Sequence, residues 1–142
     1  MMILPSEIFV DTSFFVALLN SRDVYHQPAL SLQIQLDKQK VRKVTSEYVL
    51  IELGDGLSRL QYRSLASRLI HLLQHDPTFT IVPTTTDIFQ KAIRLFNDRP
   101  DKEWGLTDCT SMIIMDEWGV NAVLTADHHF QQAGYEILLS KP

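Results

Sequence analysis

Apolar and polar positions along this chain follow a strand–helix rhythm. Ile8-Phe9-Val10 is a short β-prone run ending at Asp11, and Thr12-Ser13 can cap an apolar helix reaching about Leu19. From Tyr25 to about Gln39, the spacing of Ala29, Leu32 and Leu36, with Ile34 between, predicts an amphipathic helix. Val41 to Thr45 reads as a second strand. Ser46 then caps a helix whose Val49, Leu50, Leu53 and Leu57 recur at helical steps. Gly54 and Gly56 each weaken that helix by about 1 kcal/mol relative to Ala, which predicts a bend. Leu65, Leu69, Leu72 and Leu73 mark the next helix, which stops near Asp76-Pro77.

The second half repeats the pattern. Phe79 to Val82 is a third strand, and Thr86 or Asp87 opens a helix containing Ile88, Ala92, Ile93, Leu95 and Phe96. A polar connection covers Asn97 to Glu103. Thr107 caps a helix through Trp118, which Gly119 stops. Val120 to Leu124 is the fourth strand, and Tyr135 to Leu139 the fifth, after a helical turn around His129-Phe130. No two-residue hairpin signal joins any pair of strands, so the crossovers are parallel. The expected fold is α/β: one domain over residues 1–142, with a central parallel sheet of about five strands flanked by helices on both faces.

Composition narrows the class. Apolar residues at 45% and charged residues at 21% are ordinary globular usage and exclude disordered, collagen-like and coiled-coil chains. The longest apolar run, Phe14 to Leu19, falls far short of the roughly 20 residues that span a bilayer. Glu7 and Asp11 stand where an export signal would be basic, so a cytoplasmic protein without membrane attachment is expected. The single cysteine, Cys109, excludes a disulfide framework and a multi-cysteine zinc site, and beside Asp108 it reads as a buried packing residue. A net charge of −4 provides no bulk basic field for holding nucleic acid. A cation bound at an acidic site can still reverse the sign locally.

Four carboxylates carry the candidate chemistry. Asp11 ends the first strand, and Asp127 follows the fourth in Leu124-Thr125-Ala126-Asp127-His128. Asp108 lies in the first turn of a helix, and Glu52 lies two turns into another, between apolar residues. Any one of the aspartates reads as an ordinary cap. Glu52 reads as buried, which requires a counter-cation, and no basic residue follows it before Arg59. Ligand sites in open parallel sheets lie beyond the carboxyl ends of the strands, where these residues fall. Two carboxylates about 5 Å apart at an effective dielectric near 20 repel by roughly 3 kcal/mol, so a shared site calls for a cation. Hard oxygen donors suit Mg²⁺ or Mn²⁺, which activate water and stabilise charge on a phosphodiester.

Phe9-Val10-Asp11-Thr12-Ser13, the Glu52 context, Thr107-Asp108-Cys109 and Thr125-Ala126-Asp127-His128-His129-Phe130 together resemble the motifs of PIN domains, in particular VapC-type toxin ribonucleases. The resemblance covers essentially the whole chain. It implies a metal-dependent endoribonuclease with Asp11, Glu52, Asp108 and Asp127 as the acidic catalytic site. Asp11, Asp108 and Asp127 would hold Mg²⁺ (or Mn²⁺), with Thr12 or Ser13 and Thr125 as polar supports. It also implies an RNA substrate, a small antitoxin partner and a possible homodimer.

Other readings fit less well. A haloacid-dehalogenase-like phosphatase needs a second Asp two residues after Asp11, where Ser13 stands. A receiver domain needs an acidic pair at the first strand and a Lys after the last. A non-catalytic PIN-like module that binds RNA or protein remains as an alternative. His128-His129 reads as solvated or capping, His71 and His75 as surface residues, and Asp98, Asp101 and Glu103 as a solvated loop. Trp104 and Trp118 read as packing residues. Arg59, Arg63, Arg68, Arg94, Arg99 and Lys102 are candidates for phosphate contacts or plain exposed charges. The Leu-rich helices between Val49 and Leu73 offer a groove for a partner segment or a second copy.

Overall fold

The computed structural model describes residues 2–140. In chain order the elements are β1 (Glu7–Val10), α1 (Thr12–Leu19), α2 (His26–Lys38), β2 (Arg42–Ser46), α3 (Glu47–Gly56), α4 (Leu60–His75), β3 (Phe79–Val82), α5 (Thr86–Asp98), α6 (Leu106–Trp118), β4 (Ala122–Leu124), α7 (His128–Gln132) and β5 (Glu136–Ile137). The five strands form one sheet in the order β3-β2-β1-β4-β5, and every pairing is parallel. The expected α/β architecture is the one observed.

The chain leaves β1 toward β2 and β3, then returns past β1 to add β4 and β5. With right-handed crossovers, that reversal sends α1–α4 and α5–α7 over opposite faces. Strands covered on both sides need apolar residues at every position, and Ile8, Phe9, Val10, Val123 and Leu124 are all fully buried. Phe14, Phe15, Leu53, Met112, Ile114 and Phe130 pack against them from the helices. The reversal also makes the carboxyl ends of β1 and β4 the switch point of the sheet, where the two sets of connections part and leave a crevice.

Several boundaries differ from the sequence pattern, each for a local reason. Thr85, not Thr86 or Asp87, caps α5, its Oγ1 accepting from Ile88 N at 3.1 Å. Gly105, not Thr107, is the cap residue of α6. Helix α3 runs straight through Gly54 and ends at Gly56, so the expected bend is a helix end. Val120 N is used by Met115 O to close α6, and Tyr135 N by Phe130 O to close α7. These bonds delay the starts of β4 and β5 relative to the apolar runs, and β5 also ends early, at Ile137. Gly119 does stop α6, with φ of +67°. Ile34, Leu72 and Trp118 are 53%, 65% and 46% exposed, so these three sit outside the core that their periodicity suggested.

Candidate active site

Asp11 follows β1 directly and caps α1 with its backbone only, without a capping hydrogen bond from its side chain. The ladder that pairs Val10 with Leu124 brings Thr125 beside it. Thr125 Oγ1 donates to Asp11 Oδ2 at 2.9 Å and accepts from Asp127 N at 3.0 Å. Ser13 Oγ lies 2.9 Å from Thr125 Oγ1 and 3.3 Å from Asp11 Oδ2. One hydroxyl thus ties the end of β1 to the loop after β4. The other oxygen of Asp11, Oδ1, is buried without a hydrogen-bond partner.

The remaining carboxylates converge on the same place. Asp11, Glu52, Asp108 and Asp127 line one cleft of about 820 Å³. Asp108 Oδ2 accepts from Gly105 N at 3.0 Å, and Asp127 Oδ1 from His129 N at 2.9 Å. Both aspartates are therefore caps as well as site residues. Glu52 Oε1 accepts from Thr12 Oγ1 at 2.5 Å, which joins α3 to the start of α1.

Glu52 is not buried as its apolar flanks suggested. It is solvent-exposed at the rim, as is Ile51 beside it, because Val49, Leu50 and Leu53 form the inward stripe of α3. The buried carboxylate that calls for a counter-cation is Asp11 instead. That residue is only 4% exposed, and among the described residues it has no Lys or Arg partner. Burial raises its pKa to about 6; the charges of Asp108 and Glu52 add to the rise, while the Thr125 hydrogen bond opposes it. Asp108 is also raised, by burial first and then by the charge of Asp127.

Sequence reasoning underrated two neighbours. His128 is solvated, its side chain 71% exposed, but His129 is not. The His129 Nδ1 lies 3.3 Å from Asp108 Oδ2 and 3.2 Å from Asp127 Oδ1, so its ring spans the two carboxylates. Asp127, His128 and His129 also bring one ligand atom each within 4.8 Å of one another. Glu103 lines the cleft too, while its neighbour Asp101 is taken up by Arg99. Trp104 packs as expected, 5% exposed, with Nε1 donating to Gln132 and the Arg99 guanidinium over its ring.

These residues fit a divalent cation. The donors are hard carboxylate oxygens, and the unpartnered Oδ1 of Asp11 is a buried acceptor that a cation would satisfy. Replacing Thr125 with Val tests the scaffold beneath them. It removes a donor to Asp11 and the acceptor for Asp127 N together. A loss of about 1–3 kcal/mol is expected, read as a lower melting temperature. An unchanged melting curve would remove Thr125 from the account.

Comparison with known proteins places the chain in a family. The family model described as PIN domain matches residues 8–135. The 23S rRNA-specific endonuclease VapC20 of Mycobacterium tuberculosis is 30% identical over 130 residues, covering 90% of this chain and 95% of the relative. The crystal structure of that protein, described as a Sarcin-Ricin loop cleaving toxin, superposes with a TM-score of 0.82 at 26% identity. The match covers 95% of this chain and 99% of that one. FitAcB from Neisseria gonorrhoeae shares the fold at a TM-score of 0.65 and 18% identity, over 92% of this chain and 96% of that one. VapBC2 from Rickettsia felis does so at 0.66 and 16%, over 96% and 99%. The chain belongs to the PIN domain family and is of the VapC type.

Proposed function

We propose that this protein is a divalent-cation-dependent endoribonuclease and the toxin of a toxin–antitoxin pair. The observation that carries the reading is the buried Asp11, which has no Lys or Arg partner among the described residues and shares one cleft with Asp108, Asp127 and Glu52. Asp11, Asp108 and Asp127 would hold Mg²⁺ or Mn²⁺. When bound, such a cation supplies Lewis acidity toward the scissile phosphate and lowers the pKa of the attacking water.

The chain's own groups do the rest. Thr125 and Ser13 fix Oδ2 of Asp11, so Oδ1 would be the oxygen offered to the cation. His129 holds the Asp108 and Asp127 carboxylates at a fixed separation. Glu52, steadied by Thr12 at the rim, would orient the attacking water and take its proton. Hydrolysis then needs no covalent enzyme intermediate. The likeness to VapC20 supports ribosomal RNA as the substrate class, and the VapC type supports a small antitoxin as partner. Among the described residues no helix is long and apolar enough to cross a membrane.

Expression in bacteria is the direct test. The chain alone should arrest growth, and purified protein should cut ribosomal RNA with Mg²⁺ or Mn²⁺ but not with EDTA. Asp11→Ala at the same protein level should restore growth. Equal growth with both forms would remove the toxin reading. RNA binding without cleavage would favour the non-catalytic module.

A further inference from the structure

The acidic cleft has a charge problem as an RNA site. Its lining includes the carboxylates of Asp23 and Glu103 besides the four already described, and no Lys or Arg. A polyanion gains most of its affinity from Lys and Arg at phosphates, so those contacts must come from beside the cleft.

A second trough adjoins it. Val16 on α1 and Gly56 at the end of α3 line both, so the two are continuous. The trough, about 530 Å³, carries Arg22 from the α1–α2 connection and Tyr62 from α4 on its walls. Arg22 is exposed, and among the described residues its guanidinium forms no ion pair. The Tyr62 side chain makes no hydrogen bond there either, and the residue is 41% exposed. Beyond Leu57 the surface continues into a third hollow with Arg63, Ser64 and His71. Arg63 spends one N–H on Ser58 O and keeps the others.

A free guanidinium and an open aromatic face, joined to a cleavage site, match a single strand of RNA, with phosphate on one and base on the other. Helix α1, about 12 Å long, runs from Asp11 toward the connection that carries Arg22, a length of about two nucleotides. The trough's apolar lining, Val16, Leu19, Leu57 and Leu65, would form the floor beneath a base, while the leucines of α4 most open to a partner helix, Leu60 and Leu72, lie outside it. We infer that the trough is the RNA-binding extension of the active site, in which Arg22 grips a phosphate and Tyr62 stacks a base flanking the scissile bond. This inference rests on the endoribonuclease reading.

The test is binding of a labelled sarcin–ricin stem-loop RNA to the full chain in an Asp108→Asn background, where cleavage does not interfere. Arg22→Ala should weaken binding and flatten the dependence of log affinity on log salt by about 0.7–1, the share of one phosphate contact. Arg22→Lys should keep the slope. Tyr62→Ala should lose about tenfold in affinity at an unchanged slope, and Tyr62→Phe should not. Circular dichroism checks that each variant folds. Strong RNA binding indifferent to Arg22 and Tyr62 would overturn the inference, leave the nuclease reading standing, and pass the trough to a protein partner. No RNA binding even before these changes would overturn both.

Discussion

Asp108→Asn is expected to abolish RNA cleavage while leaving the fold intact. The amide keeps the shape of the carboxylate, and its oxygen can still accept from Gly105 N, so the start of α6 is preserved. What it loses is charge, in a residue whose side chain is only 14% exposed and which shares its cleft with Asp11 and Asp127. Lewis-acid stabilisation at such a site is worth several kcal/mol. At 1.36 kcal/mol per factor of ten, the rate should fall by about a thousandfold or more. Cleavage of ribosomal RNA by both proteins under excess Mn²⁺, with far-ultraviolet circular dichroism as a folding control, measures it. Turnover within tenfold of wild type would take Asp108 out of the machinery.

The second large effect is on stability, through Asp11. Its folded-state pKa is raised from 3.8 to about 6, so between those values the folded protein binds more protons than the unfolded chain. Stability then falls as pH rises through that window, by up to about 3 kcal/mol at 1.36 kcal/mol per pKa unit. Above pH 6 the full cost is present in a chelated sample. A cation that binds only the folded state reverses it, adding about 2.7 kcal/mol at a hundred times its dissociation constant. Melting of wild type and Asp11→Asn from pH 4 to 7, with EDTA or with Mg²⁺, separates the contributions. Wild type with EDTA should lose about 10 °C across the series and recover most of it with metal at neutral pH. Asp11→Asn should show a flatter profile and a small response to metal. Parallel profiles for the two proteins would mean that Asp11 is not the group that ionises.

Asp11 and Asp127 were legible in the sequence because strand ends are. Once Ile8-Phe9-Val10 and Ala122-Val123-Leu124 are neighbouring parallel strands, the residues that follow them must meet. Asp108 was legible for a similar reason, as a first-turn residue of a helix. Glu52 illustrates the limit of local reading. Apolar residues on both sides suggested burial, but a helix turns 100° per residue, so adjacency says little about facing, and Ile51 and Glu52 both point outward. His129 escaped for a different reason. Its partner Asp108 lies 21 residues earlier, and only the tight turn of α7 brings the ring between the two carboxylates. Arg22 and Tyr62 share a trough only because α3 ends where it does, which no spacing in the chain announces.

Three helices begin at the cleft: α1 after Asp11, α6 just before Asp108, and α7 after Asp127. Aligned peptide dipoles give a helix start the equivalent of about half a positive charge. The backbone therefore offsets part of the repulsion among the carboxylates, yet Asp11 and Asp108 still lie above the ordinary carboxylate range. The same carboxylates also hold the scaffold: Asp108 and Asp127 accept from the backbone at the starts of α6 and α7, and Asp11 accepts from Thr125. An amide in place of any one of them keeps an acceptor oxygen while removing the charge. Charge and scaffold therefore come apart only under amide substitution, whereas Ala at Asp108 or Asp127 would also loosen a helix start.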